Sequence, residues 1–196
     1  MARHDHTRGR EGQAIALPHA EVMSLLEDLR DYCSPKYQVL FATQYFTAGR
    51  ISEVRQLELR DIDWKQELIR YRGVNTKTGK ARDCAIAPPL AQLLRPWWQE
   101  RQREGDRFLF PGRPTTKPIS LQCCAEMLYR IGDLRGIRGL STHSFRRSMA
   151  THLRQVQGYE YEEIAVITGH QSVDSLVRYI NVRKPEVFER FRSAWK

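Results

Sequence analysis

The chain has 196 residues, with 32 Lys and Arg against 23 Asp and Glu, and so carries a net charge of +9. That is one domain's worth of sequence or slightly more, and its basic balance points to an anionic partner, nucleic acid ahead of a membrane surface. Runs such as YQVLFATQYF are too short and too polar to span a bilayer, and MARHDHTRGR at the N-terminus lacks the apolar core of a signal peptide, so a cytoplasmic protein is expected.

Residues 1–16 are polar and basic without an apolar period, which predicts a flexible basic arm. After Pro18, Val22, Leu25, Leu26 and Leu29 recur at i, i+3, i+4 and i+7, the period of a helix. A second helix, YQVLFATQYFTAG, stops at Gly49 as at a C-terminal cap. ELIRYRGV and ARDCAIA are β-prone and flank NTKTGK, which reads as a hairpin. The remainder predicts helices at about 89–104, 120–133, 142–156, 160–168, 173–181 and 185–196. The expected fold is mainly α with a small antiparallel β-sheet. Four cysteines, Cys33, Cys84, Cys123 and Cys124, lack C-x-x-C spacing and are expected to be reduced thiols.

Three clusters stand out from this background. In STHSFRRSMATHL, residues 141–153, the apolar stripe is Phe145, Met149 and Leu153. At 100° per residue Arg146 lies roughly 60° from the centre of that stripe and Arg147 roughly 160° away. Arg146 is therefore expected half-buried, with His143 on the same side and able to reach the same point, while Arg147 is expected to face solvent, where it could touch phosphates. In FTAGRISEVRQLELRDIDW, Arg50 follows the predicted helix end, and Glu53 three residues on can hold its guanidinium. In ITGHQSVDSLVRYI, His170 follows a glycine and Tyr179 comes nine residues later, beside rather than on the stripe of Val173, Leu176, Val177 and Ile180.

TAGRISEVRQLELRDIDW, THSFRRSMATHL and TGHQSVDSLVRYI, in this order and spacing, resemble the tyrosine recombinases, or phage-type integrases, from about Leu17 onward. The resemblance implies a catalytic domain over 17–184, in which Arg50, Lys77, His143, Arg146 and His170 assist the nucleophile Tyr179. Lys80 competes with Lys77 for the lysine role, and the KTG pattern favours Lys77. Lys80 and Arg82 beside the hairpin, with Arg147, are the expected DNA contacts.

Such a set suits phosphodiester transfer. Two arginine forks can take up charge developing on the non-bridging oxygens, the tyrosine hydroxyl, with a normal pKa of about 10, must shed its proton, and a lysine can protonate the leaving 5′-oxygen. No acidic cluster has metal-ligand spacing, and neither a metal nor another cofactor is expected. The resemblance implies a site-specific recombinase that forms a covalent 3′-phosphotyrosine on double-stranded DNA, within a homotetramer, for integration, excision or inversion. A type IB topoisomerase-like relaxation activity and a non-catalytic DNA-binding accessory role are the alternatives. Members of the family resemble two-domain clamps, so the chain reads either as a catalytic fragment or as a short recombinase. In 185–196, Val187, Phe188, Phe191, Ala194 and Trp195 form an apolar stripe, and that helix is expected to dock on a neighbouring protomer.

Overall fold

The computed structural model describes residues 14–76, 79–180 and 184–194. Its helices are α1 (His19–Tyr32), α2 (Pro35–Phe46), α3 (Ile51–Val54), α4 (Pro88–Arg103), α5 (Leu121–Arg135), α6 (Ser144–Gln155), α7 (Tyr161–Thr168), α8 (Val173–Tyr179) and α9 (Lys184–Ser193). The strands β1 (Ile62–Asp63), β2 (Leu68–Tyr71) and β3 (Arg82–Ala85) form one antiparallel sheet in the order β1-β2-β3, pairing Ile62 with Ile69 and Tyr71 with Arg82. The mainly α fold with a small antiparallel sheet is as the periodicity predicts. Among the described residues no helix is long and apolar enough to cross a membrane.

The helix α2 is the axis of the domain. Residues 38–45 are all buried, including Gln38, Thr43 and Gln44, so this helix has no solvent face, as expected of one surrounded on all sides. On one side α1 lays Val22, Leu25, Leu26 and Leu29 against it; on another, Phe41 stacks on Phe145 of α6 with ring centroids 5.0 Å apart. A second, smaller core of Ala150, Ile164, Leu176 and Ile180 ties α7 and α8 to α6. Thus α6 belongs to both cores and joins the body of the domain to its C-terminal helices. All four cysteines are free thiols, with Cys84 and Cys124 buried.

Local departures from the sequence reading have physical causes. The strand β1 escapes a periodicity reading because two residues carry no period. The turn after α2 is closed by Ala48, whose φ is +46°, and not by Gly49. Gly49 is needed for space: a Cβ there would lie 2.7 Å from Val54 Cγ2 and 2.8 Å from Tyr71 Oη. The helix α6 starts at Ser144, leaving His143 as its N-cap rather than inside the helix. In α8, Leu176 and Ile180 are buried as the stripe requires, but Val177 is exposed, because the helix is covered on one narrow side only. Of the expected arm over residues 1–16, residues 1–13 lie outside the described residues; 14–16 run across α6 and are only partly exposed.

A methyl group at Gly49 should therefore cost stability. Gly49→Ala is expected to destabilise the domain by about 1–3 kcal/mol, the range for overpacking a close-packed site, while Ala48→Gly should change stability by less than about 1 kcal/mol, since relief of the positive φ offsets the lost methyl. Thermal unfolding followed by circular dichroism checks both. Equal and small effects at the two positions would contradict the assignment of Gly49 as the close-approach site.

Candidate active site

Arg50 is fixed from its own backbone outward. It is the N-cap of α3; its N–H donates to Glu53 Oε2 at 3.2 Å and its Nη1 to Glu53 Oε1 at 2.9 Å, so one carboxylate caps the helix and orients the guanidinium. The pair expected from the three-residue spacing is present. Glu53 is 1% exposed while Arg50 keeps a partly open face. The carboxylate is thus committed to the protein and the guanidinium is available to a ligand.

Arg146 comes from α6 and is more deeply placed than half-buried, at 2% exposure. Its Nη1 donates to the carbonyl of Ala48, two residues before Arg50, and its Nη2 lies 3.3 Å from Nε2 of His170 and 3.4 Å from Nδ1. His170 stands one residue beyond the left-handed C-cap Gly169 of α7, within hydrogen-bond reach of Thr168 Oγ1 through Nδ1. That hydroxyl gives its hydrogen to Ile164 O at 2.7 Å, so Nδ1 is the protonated nitrogen and Nε2 offers its lone pair toward Arg146. Burial, reinforced by the cations of Arg146, Arg50 and Arg82, pushes the His170 imidazole down to about 4. At neutral pH it is uncharged, an acceptor among donors.

His143 is exposed at the start of α6. Its loop is fastened from below, where Gln44 Nε2 donates to Thr142 O at 2.6 Å, and from beside, where the His143 N–H donates to Ser141 Oγ at 3.3 Å. Lys80 is exposed at the mouth of a cleft of about 260 Å³ lined also by Arg50, Glu53, Arg82 and His170. Lys77 lies outside the described residues. Tyr179 closes α8 as its last residue, and its side chain lies outside the described residues. Among the described residues no cluster of three or more His, Cys, Asp or Glu could hold a metal ion.

Two expected DNA contacts turn inward. Arg147, expected to face solvent, is 2% exposed, and its Nη1 donates to Ala14 O at 2.8 Å. Next to it the Leu17 N–H donates to Ser148 Oγ at 2.8 Å. Residues 14–17 therefore cover the face of α6 that a helical wheel leaves open, and Arg147 is bonded to that strap rather than turned to solvent. Arg82 is likewise drawn in, donating through Nη1 to Ile167 O at 3.0 Å and through Nη2 to Glu53 Oε2 at 3.4 Å, with its guanidinium 4.2 Å from the centre of the Tyr71 ring. The inward partners of both arginines are distant in sequence, and no local pattern announces them.

Residues 16–186 match the model of the phage integrase family. The chain belongs to the phage integrase family. It is 28% identical over 152 residues to the tyrosine recombinase XerC of Corynebacterium glutamicum, a match covering 76% of this chain and 48% of that protein. Against the tyrosine recombinase XerA of Pyrococcus furiosus it is 26% identical over 181 residues, covering 91% of this chain and 61% of that one. Its fold matches the XerH site-specific recombinase solved with a palindromic difH substrate in a post-cleavage complex, with a TM-score of 0.78, 21% identity, and coverage of 96% of this chain and 55% of that one. The chain spans between about half and two thirds of the length of the curated relatives it matches.

The neutral histidine gives the integrase domain a pH signature. The folded value of His170 lies near 4 and the unfolded value near 6.5, so the unfolded chain takes up the proton first as pH falls. The stability that neutral His170 contributes is present above about pH 6.5 and is lost as pH falls from there toward 4. Denaturant unfolding across this window should show a steeper loss of stability for the unsubstituted chain than for His170→Gln. An imidazole that titrates near 6.5 by NMR would contradict the buried, cation-flanked site.

Proposed function

We propose that this domain cuts and rejoins double-stranded DNA at specific sites through a covalent 3′-phosphotyrosine on Tyr179. The observation that carries the reading is the turn after α2: Ala48 holds Arg146 by its carbonyl, and two residues later Arg50 caps α3 with its guanidinium on Glu53, so one short turn brings two guanidiniums together. A phosphodiester bound between them would have its non-bridging oxygens met by charged donors already in place, with no reorganisation as charge develops.

The steps follow from the residues. The Tyr179 hydroxyl attacks phosphorus, forming the phosphotyrosyl ester and expelling the 5′-oxygen, which Lys77 protonates. The tyrosine proton is lost to solvent with the help of the surrounding cations, and His170, uncharged at neutral pH with its lone pair turned to Arg146, orients that guanidinium. His143 at the exposed start of α6 supplies a further donor. The phosphotyrosyl bond conserves the energy of the broken ester, so a different 5′-hydroxyl can attack it and reseal the strand without ATP. Rejoining between two duplexes needs four such sites in a homotetramer, acting in the cytoplasm on integration, excision or inversion junctions. The exposure of Phe188 at 57% and Phe191 at 64% on α9 supports the docking of this helix on a neighbouring protomer.

The test uses a library of random-sequence duplexes, each nicked so that the short fragment released with a free 5′-hydroxyl diffuses away and the adduct is trapped. The unsubstituted chain should yield an SDS-resistant protein–DNA adduct, and Tyr179→Phe should abolish it while retaining DNA affinity. Arg50→Ala and Arg146→Ala should each slow adduct formation by about 10²-fold or more, as for a lost transition-state donor. An adduct that survives in Tyr179→Phe overturns the assignment of the nucleophile.

A further inference from the structure

We propose that Arg82 is a positioning residue for strand cleavage, a single guanidinium on β3 that holds the Arg50–Glu53 pair and the His170 turn at a fixed separation. The inference rests on the recombinase reading above and adds a residue to it. Arg82 touches three elements at once: its guanidinium carbon lies over the Tyr71 ring of β2, Nη2 meets Glu53 Oε2 on α3, and Nη1 meets the carbonyl of Ile167 in the last turn of α7. The first contact seats the guanidinium, and the other two span the gap between Arg50 and His170.

The His170 turn is shaped around this side chain. Gly169 has φ of +68°, and a Cβ built on it would lie 2.9 Å from Arg82 Cδ and 3.1 Å from Nε. The glycine is therefore required twice, once for the backbone conformation that ends α7 and once for the passage of Arg82 beneath it. The Ile167 carbonyl is one of those that a helix end leaves without an intrahelical donor, and Arg82 supplies the donor. Glu53, buried with Arg50 on one oxygen, has Arg82 on the other. Removing Arg82 would take the side-chain donor from the Ile167 carbonyl and leave Glu53 Oε2 with the Arg50 N–H and no guanidinium, and the two sides of the cleft would no longer be tied together.

A phosphate-binding role fits this geometry poorly. The side chain is 14% exposed, and both terminal nitrogens already serve protein acceptors. Lysine could keep the charge over Tyr71, but its one ammonium cannot reproduce a planar fork that reaches two acceptors on separate elements.

The two roles separate by experiment, with the full chain and a duplex recovered from the random-sequence library. At saturating DNA, Arg82→Ala should slow adduct formation by about 10²-fold and Arg82→Lys by about 10-fold, while Kd and the slope of log Kd against log salt stay at the values of the unsubstituted chain. A native rate in Arg82→Lys overturns the proposal. So does a loss confined to affinity, with the salt slope reduced by about one phosphate contact. Should Arg82→Ala fail to fold, Arg82→Lys alone decides, since it retains the charge and the stacking stem. The free chain supplies a readout that does not depend on DNA cleavage: in Arg82→Lys the imidazole ¹⁵N signals of His170 should move while those of His19 and His152 stay. Unmoved His170 signals overturn the positioning role. Failure of the unsubstituted chain to form any adduct contradicts the recombinase reading, and the NMR comparison still judges the Arg82 tie.

Discussion

One buried carboxylate governs the arrangement of this domain's cationic cleft. Glu53 sits at the third position of a single-turn helix with almost no exposure, and a charge in that position is tolerable only when paired and hydrogen-bonded. The pairing is made by Arg50 on one oxygen and Arg82 on the other, and the Arg50 N–H adds a third donor. The placement of two guanidiniums thus follows from the need to satisfy one acid. Because Arg50 keeps an open face, the same pairing leaves one of the two cations available to a phosphate.

Around that pair the rest of the cleft is held by side chains bonded to main-chain carbonyls. The carbonyl of Ala48 receives Arg146, and the loop before α6 is pinned through Thr142 by Gln44 of the central helix. Gln44 also contributes its own carbonyl to the Gly49 N–H, so one residue of α2 steadies both the turn that leads to Arg50 and the loop that carries His143. Groups held by a second layer of this kind need no rearrangement when charge appears on the substrate, which is the form of electrostatic help that phosphoryl transfer demands. His170 completes the set by remaining uncharged among three arginines, since desolvation and like charge both oppose its protonation.

Much of this is legible in the sequence where the determinants are local. The stripe of Val22, Leu25, Leu26 and Leu29 marks α1, the β-prone segments around NTKTGK mark β2 and β3, and the three-residue spacing of Arg50 and Glu53 marks their ion pair. What escapes depends on partners far along the chain. A helical wheel turns Arg147 outward because it cannot know that residues 14–17, more than 130 positions earlier, lie over that face. The inward placement of Arg82 is hidden in the same way, because nothing near it in sequence reveals Ile167, 85 positions on, or Glu53, 29 positions back. The glycine at position 49 is visible, but its reason is steric closeness to Val54 and Tyr71 and not the left-handed turn, which Ala48 supplies.

The dependence of the cleft on its buried acid is tested most directly by Glu53→Gln. The amide preserves shape and one acceptor but removes the charge and turns a donor toward one of the two guanidiniums. The measurement is the single-turnover rate of adduct formation at saturating DNA, with thermal unfolding and DNA affinity recorded on the same samples. A chain that still folds and still binds DNA but forms the adduct about 10²-fold more slowly is the predicted result. A native rate in the folded variant would show that Arg50 reaches its working position without Glu53, and would contradict the central role of that carboxylate.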